Sequence, residues 1–502
     1  MNSTPIRTPS LPIIIQGGMG VGVSDWRLAN AVSRAGQLGV VSGTALDVIM
    51  ARRLQLGDPD GSTRRALEQF PIPGVADRIL RRYYVANGKD ADARFIAKPL
   101  PSITPSRAAI ELLVASNYVA VLLAREGHDA PVGINYLEKI QAPTLPSLYG
   151  AMLAGVSCVL MGAGIPRTIP GVLDRLSRGE AVELAIDVRG AGAEDRFTTC
   201  FDPATIWPEG ARPPITLHRP DFYAIVSSAT LATMLARKST GRVDGFVVEA
   251  PTAGGHNAPP RGAMRLSDSG EPIYGERDVP DLEAICALCL PFWLAGSCAR
   301  PERVEEAIRL GATGVQVGTA FAYCEESGLT REIKESVLAL SRAKRVRVFT
   351  DPVASPTGFP FKLVQVPATL TDPEAPPRSH RVCDLGYLRH AYKMPDGTIG
   401  WRCPAEPVDD YVSKGGLEAD TRGRMCVCNG LVANIGMGQV RGEHGSDREL
   451  PLVTSGDDVA EVARFLKDGA TTYRAIDVIE YLLQRVCAHA GAARSAGEAS
   501  GQ

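Results

Sequence analysis

Positive charge is not in excess in this chain of 502 residues: the formal net charge is -2, which leaves no basic footprint for nucleic acid or an anionic membrane surface. Neither partner is expected. No apolar run reads as long enough to span a bilayer, and residues 1–16 lack the basic start, long apolar stretch and small-residue cleavage site of an export signal. The expected location is the cytoplasm. Cysteines are few, and 11 of them, an odd number without an export signal, read as reduced thiols rather than a disulfide framework. A Gly-x-Gly-x-x-Gly dinucleotide module is also missing.

What is present begins with a buried strand at Pro12-Ile-Ile-Ile-Gln16, a Gly17-Gly18-Met19-Gly20 turn, a helix capped by Ser24 and ending at Gly36, and a second strand at 38–42. This βαβ opening repeats. Eight short apolar strands are predicted at 13–16, 39–42, 132–136, 158–161, 222–227, 245–249, 291–295 and 314–318, most of them followed by a helix. The fold class is therefore α/β, a (β/α)8 TIM barrel over residues 1–325. A doubly wound open sheet is the alternative, but it does not need eight strands whose C-terminal ends nearly all carry glycine or small polar residues.

A helical insertion at about 45–104, with helices at 46–56, 62–70 and 75–84, reads as a lid or an oligomer contact and leaves a homodimer open. A second insertion at about 180–220 reads as a hairpin pairing 182–188 with 196–201. Residues 326–488 form a helical and irregular C-terminal section expected to pack on the barrel, with helices at 332–344 and 476–488, and 489–502 read as a disordered tail.

The chemistry centres on the sixth strand, which breaks into Glu249-Ala-Pro-Thr-Ala-Gly254-Gly255-His256. Paired glycines let backbone approach a ligand closely, and a histidine there can exchange protons near neutral pH. Gly296-Ser297 and Gly318-Thr319 end the seventh and eighth strands, where barrels of this kind cradle phosphate. Gly17, Gly18 and Met19 offer a backbone surface suited to a flat ring. A phosphate at one side and a planar ring at the centre describe flavin mononucleotide, FMN.

Pro12 to Met19, Glu249 to His256, Leu294-Ala-Gly-Ser297 and Gly311-Ala-Thr-Gly-Val-Gln316-Val-Gly-Thr-Ala-Phe321 together resemble the nitronate monooxygenase family, formerly 2-nitropropane dioxygenases. The resemblance implies an FMN-binding barrel with the flavin against Gly18, Met19, Asn135, Gly254, Gly255 and Gln316, its phosphate at Gly296, Ser297, Gly318 and Thr319, and His256 as the active-site histidine. It implies oxidation of a small-molecule nitronate by O2 to a carbonyl compound and nitrite. The same motifs are similar to FMN-dependent enoyl-ACP reductases and to the trans-acting enoyl reductases of polyunsaturated fatty acid synthesis, which the length of the chain also resembles. In that reading NAD(P)H reduces the flavin, the substrate is an enoyl thioester on an acyl carrier protein, and Arg261 and Arg265 contribute to a basic groove. A non-catalytic barrel binding a phosphorylated ligand is a further alternative. Two departures from the family pattern stand out: Cys298 after Ser297, where a second glycine is commoner in this loop, and the bulky Tyr136-Leu-Glu-Lys139 after the third strand.

Cys383, Cys403, Cys426 and Cys428 are numerous enough for tetrahedral zinc or an iron–sulfur cluster, but a cramped Cys-x-Cys pair favours scattered thiols, and no metal is expected. Elemental analysis of the purified protein should find neither zinc nor iron near one equivalent. Stoichiometric metal that disappears with Cys426→Ser would reverse this.

Overall fold

The computed structural model describes residues 11–209, 211, 216–372, 374, 381–442 and 447–486; the segment 489–502, read as a tail, lies outside them. In chain order β1 (Ile14–Gln16), α1 (Trp26–Arg34) and β2 (Gly39–Ser42) lead into α2 (Leu46–Gln55), α3 (Ser62–Glu68), α4 (Val75–Tyr83) and α5 (Arg107–Ala124). There follow β3 (Val132–Leu137), α6 (Thr144–Leu153), β4 (Cys158–Gly162), α7 (Ile169–Ser177), β5 (Val182–Ala185), β6 (Val188–Arg189) and β7 (Thr198–Phe201). Next come β8 (Asp221–Val226), α8 (Ala229–Lys238), β9 (Gly245–Glu249), α9 (Leu282–Cys286), β10 (Phe292–Ala295), α10 (Pro301–Arg309), β11 (Gly314–Val317) and α11 (Thr319–Ala322).

Eight strands pair in parallel in the order β1-β11-β10-β9-β8-β4-β3-β2. The ring closes where Ile15 bridges Leu38, with Gln16 N donating to Leu38 O at 2.9 Å and Leu38 N to Ile14 O at 3.0 Å. Eight parallel strands closed in this way, with helices outside, make a TIM barrel, as the strand pattern predicts. Period-two alternation sorts the strand side chains. Ile15, Val40, Leu160, Tyr223, Val247 and Trp293 fill the inside, while Phe222, Phe246, Val248 and Phe292 face the helices.

Local expectations change in three places. Ser24 does not cap α1: Asp25 does, accepting from the amides of Arg27 and Leu28, because Ser24 turns inward to the first loop. The hairpin of the second insertion is shorter than 182–188 with 196–201. Only β5 pairs with β7, and β6 leaves to join β14 (His390–Lys393), whose other neighbour is β15 (Ile399–Arg402). Helix α5 is long and apolar enough to cross a membrane by composition, contrary to the expectation that no run was, but 78% of its 18-residue window is buried inside the structure.

The C-terminal section also holds α12 (Arg331–Arg342), β12 (Val348–Asp351), β13 (Phe361–Val364), α13 (Val408–Ser413) and α14 (Val427–Ala433), and residues 475–486 are helical. It grips the helical insertion: the Tyr387 hydroxyl donates to the carboxylate of Asp47, which also pairs within the insertion with Lys98 Nζ at 2.8 Å, and Arg52 donates to Met437 O at 2.5 Å. The insertion is thus clamped between α5 and the C-terminal section.

Gly39 shows how tightly the barrel is dressed: a Cβ there would lie 1.9 Å from Ala29 O on α1. Gly39→Ala is expected to cost about 1–3 kcal/mol by overpacking, read as a lowered urea midpoint. An unchanged midpoint would contradict so close a helix–strand contact.

Candidate active site

Alternation along the strands carries Asn135, Gly162, Ile225, Glu249, Ala295 and Gln316 to the top layer of the barrel interior, and all six line one cavity of about 230 Å³ at the C-terminal mouth. Gly17, Gly18, Met19, Gly254, Gly255, His256, Gly296, Ser297, Gly318 and Thr319 line it too. Every residue singled out as binding or catalytic therefore comes to one place. Arg261 and Arg265 do not: both are exposed and outside it.

The first loop is held from within. Ser24 Oγ donates to Gly17 O at 2.8 Å and accepts from Met19 N at 2.9 Å. Asn135 Nδ2 donates to Gly18 O at 3.3 Å, and a Cβ on Gly18 would fall 2.3 Å from Asn135 Cβ, so only glycine fits between loop and floor. Two floor atoms, Asn135 Oδ1 and Gln316 Oε1, are buried without a partner among the described residues. Buried polar atoms normally find one, so both acceptors point to a donor-bearing ligand.

The sixth-strand loop is strapped by the C-terminal section. Asn257 N donates to Pro360 O at 2.9 Å, Lys362 N to Gly255 O at 3.0 Å, Gly255 N to Thr454 Oγ1 at 3.0 Å and Asp457 N to Thr252 O at 3.1 Å. His256 is fixed by two contacts: its Nε2 lies 2.6 Å from Ser355 Oγ, and its ring centroid 4.7 Å from that of Phe361. Burial pushes its pKa down to about 4, so the imidazole is neutral near pH 7 rather than titrating there as expected. Glu249 moves the other way, its carboxyl pushed up to about 7 by burial.

At the far rim the backbone amides of Gly296, Ser297 and Gly318 donate to no backbone acceptor among the described residues. Beside them Thr319 Oγ1 accepts from Gly456 N at 3.0 Å and keeps its own O–H to donate, while Ser297 faces the Asp458 carboxyl, which accepts from Ala299 N at 3.2 Å. Of the bulky stretch Tyr136-Leu-Glu-Lys139, Tyr136 and Leu137 line the cavity at the end of β3, with the Tyr136 hydroxyl donating to Asn117 Oδ1 at 2.7 Å, while Lys139 reaches Asp187 at 3.0 Å.

Sequence reasoning missed Ser355, Phe361, Thr454, Gly456 and Asp458. Only Thr454-Ser455-Gly456 carried a signal, the same hydroxyl-and-glycine composition as the two barrel loops. The four C-terminal cysteines are partly or wholly buried, and among the described residues no group of three or more His, Cys, Asp or Glu has the geometry to hold a metal ion.

Residues 209–354 match the family model described as nitronate monooxygenase. The chain is 34% identical over 119 residues to a probable nitronate monooxygenase of Bacillus subtilis, covering 24% of this chain and 32% of that protein. It is 27% identical over 143 residues to the nitronate monooxygenase of Pseudomonas aeruginosa, covering 28% and 38%. The chain thus spans about a third of the length of the curated relatives it matches. Among solved structures it is similar to FabK from Thermotoga maritima, at TM-score 0.45 and 16% identity over 97% of this chain and 96% of that one. The nitroalkane oxidase from Streptomyces ansochromogenes aligns at TM-score 0.44 and 14% identity, over 96% and 97%. The resemblance to nitronate monooxygenases thus holds in sequence around the fifth to eighth barrel strands.

Because the folded pKa of Glu249 is raised, its contribution to stability is full below about pH 4.5 and is lost as pH rises through about 7. Glu249→Gln removes that loss. Its melting temperature relative to wild type is expected to climb between pH 5 and pH 8 without added ligand; a flat difference would show that Glu249 is not a buried acid.

Proposed function

We propose that this chain is an FMN-dependent oxidoreductase that oxidises alkyl nitronates with O2 to carbonyl compounds and nitrite. The observation that carries the reading is His256, neutral and pinned by Ser355 in a glycine-walled cavity, within the segment that matches nitronate monooxygenases. The residues present fit a flavin. The unpartnered Asn135 Oδ1 and Gln316 Oε1 would offer acceptors to the ring N–H and to a ribityl hydroxyl, Gly17, Gly18 and Met19 would provide a flat wall, and the amides of Gly296, Ser297 and Gly318, without a backbone acceptor among the described residues, would receive the phosphate. Bound FMN would supply the electron transfer by which nitronate is oxidised and oxygen reduced.

The protein's own groups select the substrate's charge state. With a pKa of about 4, His256 is a weak base for a neutral nitroalkane, but its neutral ring can donate a hydrogen bond to a nitronate oxygen. Glu249, protonated below about pH 7, does not repel that anion. Ser355 holds the imidazole in orientation, and Phe361 limits water on one side. A substrate that arrives already ionised suits this site.

The second reading, NAD(P)H-dependent reduction of an enoyl thioester, is favoured by one observation: a cleft with arginines lies beside the cavity. A cytoplasmic location, and the division into a barrel to residue 325 and a C-terminal section that completes the site, belong to the same proposal.

Purified protein should be yellow, release free FMN on denaturation and form nitrite from propyl nitronate in air. His256→Ala should lower nitrite formation by about a hundredfold, and Ser355→Ala by less. Protein that neither contains nor takes up FMN would end the flavin reading, while rapid anaerobic bleaching by NADPH with no nitrite would replace the nitronate reaction by the second.

A further inference from the structure

One wall of the cavity at the barrel mouth does not come from the barrel. Leu431 of α14 and Asn434, which closes that helix, line the cavity together with Val453, Ser455 and Gly456 of the strap that follows. Asn434 is 1% exposed, and its side-chain amide is satisfied at one end only. Nδ2 donates to Leu452 O at 2.7 Å, while Oδ1 is buried with no hydrogen-bond partner among the described residues. The Leu452 carbonyl fixes which end is which, because a reversed amide would set oxygen against oxygen. Among the described residues, three buried side-chain atoms without a partner belong to residues of this cavity: Asn135 Oδ1, Gln316 Oε1 and Asn434 Oδ1. All three are acceptors.

Packing holds Asn434 in place before any ligand arrives. Its own N donates to Gly430 O at 3.2 Å, Leu452 N donates to the same carbonyl at 3.1 Å, and a Cβ on Gly430 would fall 2.5 Å from Leu452 Cβ. Helix and strap therefore touch. Thr330 N donates to Asn434 O at 2.9 Å, and further along the strap Gly456 N reaches Thr319 Oγ1 at 3.0 Å. These bonds set Asn434 on the side of β11 and α11, with Gly318 and Thr319, whereas His256 is held by Ser355. A buried acceptor left empty disfavours the free protein, so this position suits a donor that a ligand brings.

We propose that Asn434 is a further cofactor-binding residue, supplied by the C-terminal section, whose Oδ1 accepts a hydrogen bond from a ribityl hydroxyl of FMN. The proposal rests on the flavin reading given above. A simple alkyl nitronate carries no N–H or O–H and cannot satisfy this acceptor. The ring N–H has candidate acceptors in the barrel floor, at Asn135 and Gln316. What remains is the chain of hydroxyls that links the ring to the phosphate, and Asn434 stands on the side of the cavity where Gly318 offers its amide to that phosphate. Bound flavin would then join the barrel to the C-terminal section.

Titration of the flavin-stripped full chain with FMN, riboflavin and lumiflavin, which has the ring but no ribityl chain, tests this through quenching of flavin fluorescence. Asn434→Ala should weaken FMN and riboflavin by about five- to tenfold and leave lumiflavin unchanged. Wild-type affinity for FMN in the variant, or an equal loss for lumiflavin, would overturn the proposal. A second measurement needs no variant: hydrogen exchange in residues 427–434 of the wild-type chain should slow more with FMN than with lumiflavin, and equal protection would count against the ribityl contact. Failure of the wild-type chain to take up any flavin ends the flavin reading and this proposal with it; uptake without an effect of Asn434 ends the proposal alone.

Discussion

A loop rich in glycine has little means of holding its own shape, and the loop that carries His256 depends on backbone bonds from elsewhere in the chain. Residues 251–257 are tied down by Pro360 and Lys362 on one side and by Thr454 and Asp457 on the other. Lys362 fastens the two straps to each other, its Nζ lying 2.7 Å from Asp457 Oδ1 and 3.0 Å from Thr350 Oγ1. Gly254 shows how little room this leaves, since a Cβ would sit 2.6 Å from Gly456 N. The C-terminal section is therefore part of the site as well as a cover over it. Freedom that lets backbone approach a ligand is removed entropically at the moment of folding, before any ligand arrives.

Burial then sets the electrical character of the cavity. Desolvation disfavours the charged form of each group, pushing His256 down and Glu249 up, so both are neutral through mildly acidic pH. Polar acceptors without partners form the floor, and amides without partners form the rim. Arg189 and Arg389 line a separate cleft, outside this cavity.

The barrel was legible because its strands are buried on both faces, which makes each a short apolar run, and because nearly all stop at glycine or a small polar residue. All eight fall within two residues of their predicted bounds. The cap of α1 was misread because Ser24 and Asp25 are both good caps, and the choice depends on which of them the first loop needs inside. The departure of β6 from its hairpin was not legible either: a two-residue strand pairing with residues 391 and 392 leaves no local periodicity.

By itself the sequence determined the barrel, its eight strand ends and the cluster of predicted residues around them, because strand period and glycine placement are local properties. Alternation along β3, β9 and β11 was enough to bring Asn135, Glu249 and Gln316 to one layer once the ring closed. Only the tertiary structure decided the protonation of His256 and Glu249, the partnership of Ser355 with His256, and the placing of Arg189 and Arg389 on one cleft. Those depend on burial and on contacts between residues about 100 to 200 positions apart, which no local pattern encodes.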